Sequence, residues 1–220
     1  SRRRTATDRP VHNPSFAAFL AELADEGVRV FDPSPLLLEA KNNGGEALSL
    51  RTDTHWTPRA MDLTAGRLAG EVGRIVHRPE MDTAQYVEER SPVSHPGDLV
   101  EMLELPALYP PQATHIGAVR EVTGSRWRSS ASAGILLLGD SFAFAYAKRA
   151  GERGHLSAHL AFELGTPVDL VAAAGRAPMA PGDVLRRSEG GFDTKRVVIW
   201  TVVGYDLTNS LAPWHQFTLD

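Results

Sequence analysis

The sequence predicts an α/β fold, a mostly parallel sheet covered by helices on both faces. Three observations carry this. The segments "ILLLG" (135–139), "PVDLVAAAG" (167–175) and "RVVIWTVV" (196–203) contain continuous apolar runs rather than alternating ones, as expected of strands buried on both faces. Helical patterns separate them. The first of these strands passes into a helix through a glycine-containing turn, "LLLGDSF", which is how βα units are joined.

The elements follow in order. "HNPSFAAFLAELADEG" reads as a helix, with Asn13 as its cap, Pro14 in the first turn, Phe16, Phe19, Leu20 and Leu23 at helical spacing, and Gly27 as its stop. "VRVF" (28–31) reads as a short strand, "SPLLLEAKNNGG" as a short helix, and "ALSL" (47–50) as a further strand. Thr57 and Pro58 open a long helix whose apolar face includes Leu68, Val72, Ile75 and Val76, and Pro79 lies beyond its end. Residues 79–114 read as an irregular insertion with one short helix near 98–104, because the stretch is polar and rich in proline. "HIGAVREV" (115–122) reads as a strand. "GILLLGDSFAFAYAKRA" is a buried strand, a tight turn and a helix. "HLSAHLAFELG" and "PGDVLRRSEGG" are helices. Residues 1–13 are expected to be a flexible segment and 14–220 a single domain.

Composition narrows the function classes. The net charge of −4 carries no argument for nucleic acid or an anionic membrane as partner, and the basic "SRRR" reads as a solvated end. There is no cysteine, which excludes disulfides, thiolate nucleophiles and cysteine-ligated metals. No stretch has the apolar length of a membrane span, and no signal peptide is recognisable. The two histidines of "HLSAH" are four apart on one helix face, a metal-compatible spacing, but the glutamate of a zincin motif is missing and no metal is expected.

Chemistry converges on two motifs. Ser141 sits where an apolar strand gives way to a helix, above the carboxyl edge of the sheet where α/β proteins bind ligands. A serine hydroxyl needs a neutral imidazole to take its proton, and the imidazole needs a carboxylate to orient it. "RTDTHWTPRA" (51–60) supplies both: Asp53 and His55, one residue apart, leave an extended segment on the same side. Asp140, beside Ser141, is expected to hold the turn. The N–H of Ser141 and that of Gly175, in "AAAGRAP", are the candidate oxyanion donors. Trp56 either lines a sugar site or plugs the helix start. Arg59 and Arg176 either meet a uronate carboxylate bidentately or serve the fold. Tyr205, after the last strand, completes the candidate substrate-binding set.

"TDTHWTPRAM", followed much later by "LLLGDSFAFAY", resembles the alginate O-acetyltransferase family, SGNH-hydrolase-like enzymes of bacterial exopolysaccharide modification. The lead-in "GVRVFDPSPLLLEAK" and the "HPGDL" segment are similar to that family as well, so the resemblance spans roughly residues 14–210. Ordinary SGNH esterases place the serine block first and an Asp-X-X-His block last. Here Asp-X-His comes first, as in the acetyltransferase branch. The resemblance implies a three-layer SGNH-like sandwich with Ser141 as nucleophile, His55 as general base and Asp53 as its orienter. It also implies a cofactor-free acetyl transfer to a secreted polysaccharide in the periplasm or outside the cell. The acetyl donor would be a small molecule or an acetylated partner protein, and a membrane-bound acetyl-transfer complex is a partner the resemblance allows. Gly204 and Tyr205 stand where the family commonly has a Glu-Arg pair, and the family's strand ahead of the first helix is not recognisable, which predicts a trimmed domain. The same triad also suits an acetyl-esterase. A non-catalytic polysaccharide-binding or assembly subunit would not need Asp53, His55 and Ser141 together.

Overall fold

The computed structural model describes residues 9–76, 85–105, 109–146, 154–187, 190–208 and 214. Pro79 and the basic "SRRR" lie outside them. The chain packs as two compact units, residues 1–48 and 49–220.

The first unit contains helices α1 (Phe16–Asp25) and α2 (Ser34–Asn42). Asn13 opens α1 from further out than expected: its Oδ1 accepts from Ser15 N at 3.0 Å and from Ser15 Oγ at 2.8 Å, and its carbonyl accepts from Phe16 N at 2.9 Å. Gly27, at φ +75°, ends the helix as expected. "VRVF" is not a strand. Val28 N returns to the Leu23 carbonyl at 2.8 Å, closing α1, and Val28 and Val30 remain exposed, so short β-branched residues here terminate a helix and pair with nothing.

The second unit is built on a parallel sheet ordered β4-β3-β5, from Ile135–Gly139 (β3), Asp169–Ala172 (β4) and Val197–Trp200 (β5). β3 is central and pairs in parallel with both neighbours, and Ile135 to Leu138 are at most 1% exposed. Side chains alternate between faces of a strand. Leu136 and Leu138 join Val171, Ala180 and Val184 on one face, beneath helix α7 (Ala180–Leu185) and beside Phe192. Helix α6 (Leu156–Leu164) is buried from Leu156 to Ala161 and packs on α3 (Pro58–Ile75). α3 begins where its sequence says: Thr57 is extended, its hydroxyl accepts from Ala60 N at 3.4 Å, and Pro58 occupies the first position. Leu68 and Val72 lie on its buried face, whereas Ile75 is exposed at the helix end.

Among its described residues the segment 79–114 is regular where the sequence predicts an irregular insertion. It holds a ten-residue strand, β1 (Tyr86–His95), then helix α4 (Asp98–Met102), and the first residues of β2 (Gln112–Glu121). β1 and β2 form a separate antiparallel ladder from Tyr86↔Glu121 to His95↔Gln112. β1 leaves no apolar signature in the sequence because only Tyr86 among its described side chains is buried, and because Pro92 interrupts it. A strand with a single partner needs no apolar run and tolerates proline on its open edge. "ALSL" contributes only an isolated bridge, Ser49↔Trp56. Among the described residues no helix is long and apolar enough to cross a membrane.

Candidate functional site

The "RTDTHW" segment is a turn held in place from outside. The Thr52 carbonyl accepts from Leu99 N at 3.0 Å, Thr52 Oγ1 donates to the Pro96 carbonyl at 2.6 Å, and Gln112 Nε2 also reaches that hydroxyl. Gly97 makes the approach possible. It sits at φ +95°, and a Cβ there would meet the Thr52 carbonyl oxygen at 2.1 Å. The "HPGDL" segment is therefore a clamp on the Asp-His turn.

Within the turn, the Asp53 side chain is 1% exposed and the His55 side chain 17%. His55 Nδ1 lies 2.7 Å from Asp53 Oδ1, which also accepts from His55 N at 2.9 Å. Burial alone would raise the Asp53 carboxyl. Hydrogen bonds from the His55 ring and backbone N–H, the ring's charge and the N–H of Asp98 outweigh it and hold the group down to about 2. An ionised carboxylate only accepts, so Nδ1 carries the hydrogen. In the neutral ring the lone pair then sits on Nε2, and Nε2 is buried with no hydrogen-bond partner among the described residues.

Ser141 is the first residue of α5 (Ser141–Phe144), at the carboxyl end of β3. Its neighbour Phe142 places its ring 4.9 Å from that of His55 and 6.0 Å from that of Trp56, while Tyr146 Oη donates to the Trp56 carbonyl at 2.7 Å. The serine-bearing turn and the Asp-His turn are thus packed together. Asp140 caps α5, accepting from Phe142 N at 2.9 Å, as its turn-holding reading expected. Burial raises its carboxyl, opposed by that hydrogen bond, with the charge of Asp206 pushing it further up. Gly139 has a different reason from the one its position suggests. Its backbone is not in the left-handed region, but a Cβ would meet Thr201 Oγ1 at 2.1 Å, so the position requires closeness and not a special turn.

The remaining candidates divide. Gly175 has φ +66° in the loop leaving β4, and Ala173 N in that loop donates to the Gly139 carbonyl at 3.4 Å, which ties it to the same sheet edge as Ser141. Trp56 is half-buried and its Nε1 has no hydrogen-bond partner among the described residues. Arg59 is half-buried in the first turn of α3. Arg176 donates through Nη2 to Asp183, at 3.1 and 3.4 Å, with its side chain 40% exposed. Tyr205 is the second residue of helix α8 (Gly204–Thr208) and is 70% exposed.

Asp98 was not singled out from sequence. Its carboxylate accepts from Thr54 N at 2.8 Å and from Thr54 Oγ1, its own N–H donates to Asp53 Oδ2 at 3.3 Å, and its Oδ2 lies 3.4 Å from His55 Nδ1. The signal available was the "HPGDL" string. The two histidines of "HLSAH" do not converge: His155 Nδ1 meets Ser157 Oγ at 2.7 Å, whereas His159 faces Asp62 at 3.1 Å and Glu88 at 3.8 Å and donates from Nε2 to the Gly117 carbonyl at 3.0 Å. The ligand atoms of Asp62, Glu88 and His159 lie within 4.8 Å of one another, with Arg90 beside both carboxylates at 3.8 and 3.2 Å. Of the other histidines, His77, His215 and the side chain of His95 lie outside the described residues.

Residues 2–203 match the family model described as the SGNH hydrolase-like domain of acetyltransferase AlgX. The chain belongs to this family. Its fold is correspondingly SGNH-hydrolase-like. The O-acetyltransferase domain of Pseudomonas putida AlgJ superposes with a TM-score of 0.65 at 24% identity, over 87% of this chain and 66% of that one. Pseudomonas aeruginosa AlgX superposes with a TM-score of 0.60 at 20% identity, over 84% of this chain and 42% of that one. Among curated relatives, a probable alginate O-acetylase AlgJ of Azotobacter vinelandii is 28% identical over 221 residues, 93% of this chain and 55% of its own length. The Pseudomonas aeruginosa protein of the same name is 36% identical over 103 residues, 45% of this chain and 25% of its own. The chain thus spans about half the length, or less, of these curated relatives.

Proposed function

We propose that the protein is an O-acetyltransferase that moves an acetyl group through an acyl-Ser141 intermediate onto a hydroxyl of a secreted, alginate-like polysaccharide. The observation that carries this is His55: Nδ1 on the ionised Asp53, Nε2 buried and without a hydrogen-bond partner among the described residues, and the ring packed on the residue next to Ser141. The family and the names of the relatives support the substrate. His55 Nε2 takes the proton of Ser141 Oγ as the oxygen attacks the acetyl carbonyl of the donor. The tetrahedral oxyanion is held by the N–H of Ser141 with that of Gly175. Collapse expels the donor's oxygen or other leaving atom, which takes the proton back from His55. A sugar hydroxyl then gives its proton to His55, attacks the acyl carbon and leaves as the acetyl ester, restoring Ser141. No step requires a cofactor. Trp56 and Tyr205 offer aromatic faces to the sugar, and Arg59 and Arg176 offer guanidinium groups to a uronate carboxylate. The compartment is the periplasm or the exterior, where such a polymer is met, with a membrane-bound acetyl-transfer complex as the source of acetyl groups.

The test is to incubate the protein with a chromogenic acetyl ester, with and without uronate oligosaccharides, and to weigh the sugars by mass spectrometry. Acetylated oligosaccharide is expected, together with losses on the order of 10⁴ to 10⁶ in rate for Ser141→Ala and His55→Ala. Either variant keeping more than about a tenth of the wild-type rate would overturn the site. Acetate release that oligosaccharide neither accelerates nor diverts would make the protein an esterase.

A further inference from the structure

We propose that Asp98 is a second positioning carboxylate for His55, standing beside Nδ1 so that the imidazolium formed when Ser141 loses its proton is shared between Asp53 and Asp98. This rests on reading Ser141, His55 and Asp53 as the reacting set.

Asp53 is the primary acceptor, at 2.7 Å from Nδ1. Asp98 Oδ2, at 3.4 Å, is too far to be a good hydrogen-bond acceptor but close enough to act as a charge. Two carboxylates gathered on one nitrogen repel each other, and the fold provides donors to both. His55 N, His55 Nδ1 and Asp98 N serve Asp53, while Thr54 N and Thr54 Oγ1 serve Asp98. The residue between Asp53 and His55 is thus tied to the second carboxylate, and the backbone of Asp98 steadies the oxygen of Asp53 that the ring does not use. A helix start that merely needed a cap would not place its carboxylate against the ring of another element. Among the described residues Asp140, at the cap of α5, also interacts electrostatically with His55, and burial raises its carboxyl. The ring's other packed neighbour, Phe142, is apolar. Removing Asp98 therefore removes one of the two carboxylates beside Nδ1.

The competing reading is that Asp98 only ties down Thr54. The two differ in charge. Asp98→Asn keeps the backbone N–H to Asp53 and an oxygen for Thr54 N, but deletes the negative charge. Thr54→Val deletes a tether and keeps the charge. On pH profiles of kcat/KM with a chromogenic acetyl ester, Asp98→Asn is expected to move the acid limb about one unit to lower pH, because the protonated ring loses a stabilising neighbour. The plateau should fall around tenfold. Thr54→Val should leave the limb where the wild type has it. Asp98→Ser, which removes the same charge with a smaller polar group, is the second variant and should behave like Asp98→Asn. A folded charge-removing variant whose acid limb coincides with the wild type would overturn the proposal, whatever its plateau. So would failure of both variants to fold, which would assign Asp98 to the fold alone. Failure of the underlying site reading shows separately, as activity persisting in Ser141→Ala.

Discussion

Gly97→Ala tests whether the clamp on the Asp-His turn is what the geometry says it is. Gly97 lies at φ 95° and ψ 153°, a region that only glycine occupies comfortably, so any side chain there costs about 1–3 kcal/mol. The added Cβ would also stand 2.1 Å from the Thr52 carbonyl oxygen and 2.8 Å from Thr52 Oγ1. Relief requires the 97–99 segment and Thr52 to separate by about an ångström, to ordinary contact distance. That movement breaks Leu99 N to Thr52 O (3.0 Å) and Thr52 Oγ1 to Pro96 O (2.6 Å), at about 1 kcal/mol each. Together the loss is about 3–5 kcal/mol, or roughly 10 °C in Tm for a unit of this size. Thr52 adjoins Asp53, so the displacement reaches the His55 pair, and a misplacement of about 1 Å costs around 10²-fold in rate. The assay is paired: melting temperature and rate per folded molecule on one preparation. Gly124→Ala is the control, because Gly124 has φ +86° but open space around its Cβ, and should lose only about 1 kcal/mol with normal activity. Gly97→Ala melting like Gly124→Ala, with an unchanged rate, would refute the clamp.

Asp53→Asn should lower activity by about 10⁴ by presenting the wrong hydrogen-bonding partner to Nδ1, whereas Asp140→Asn should show its loss mainly in Tm because Asp140 caps α5; reversed phenotypes would exchange their roles. Acid stability should follow Asp53. Its folded pKa is about 2 against an ordinary aspartate value of 3.8, so its contribution of about 2 kcal/mol is present above pH 4 and is lost as pH falls toward 2; denaturant titrations of wild type and Asp53→Asn should converge across that window. Asp140 has the opposite sign: its raised carboxyl favours the fold at low pH, and that contribution fades as pH rises above the ordinary carboxylate value, so the Tm deficit of Asp140→Asn should be largest in acid and shrink on the alkaline side. The Lys195 side chain is fully buried, with Nζ 3.0 Å from Asp169 Oδ2 and 3.0 Å from the Ala133 carbonyl, so Lys195→Met should cost about 3 kcal/mol in chemical denaturation despite the remaining Arg187 contact at 2.8 Å.

By itself the sequence determined those parts of the protein whose physics is local or strongly periodic. β3 was legible because a strand buried on both faces must be continuously apolar, and β4 and β5 carry apolar runs too, although β5 leaves Val198 and Trp200 exposed. α3 was legible because Thr57-Pro58 is a start signal and its apolar residues recur at helical spacing. Asp53 and His55 were legible as a pair because a two-residue spacing puts both on one side of an extended turn, and Ser141 because a strand-to-helix turn exposes whatever residue it carries. Tertiary structure decided the rest. β1 is a largely exposed strand that, among the described residues, pairs on one side only, so its residues carry no burial pattern, and its partner begins beyond an intervening helix. The need for Gly97 and Gly139 arises from Thr52 and Thr201, distant in the chain, approaching their backbones. Arg176 belongs with Asp183, and His159 with Asp62, because helices and loops bring those charges together, and no spacing announces it. Asp98 reaches His55 by the same route: its place beside the imidazole depends on a clamp between segments more than forty residues apart, a contact that exists only once the chain has folded.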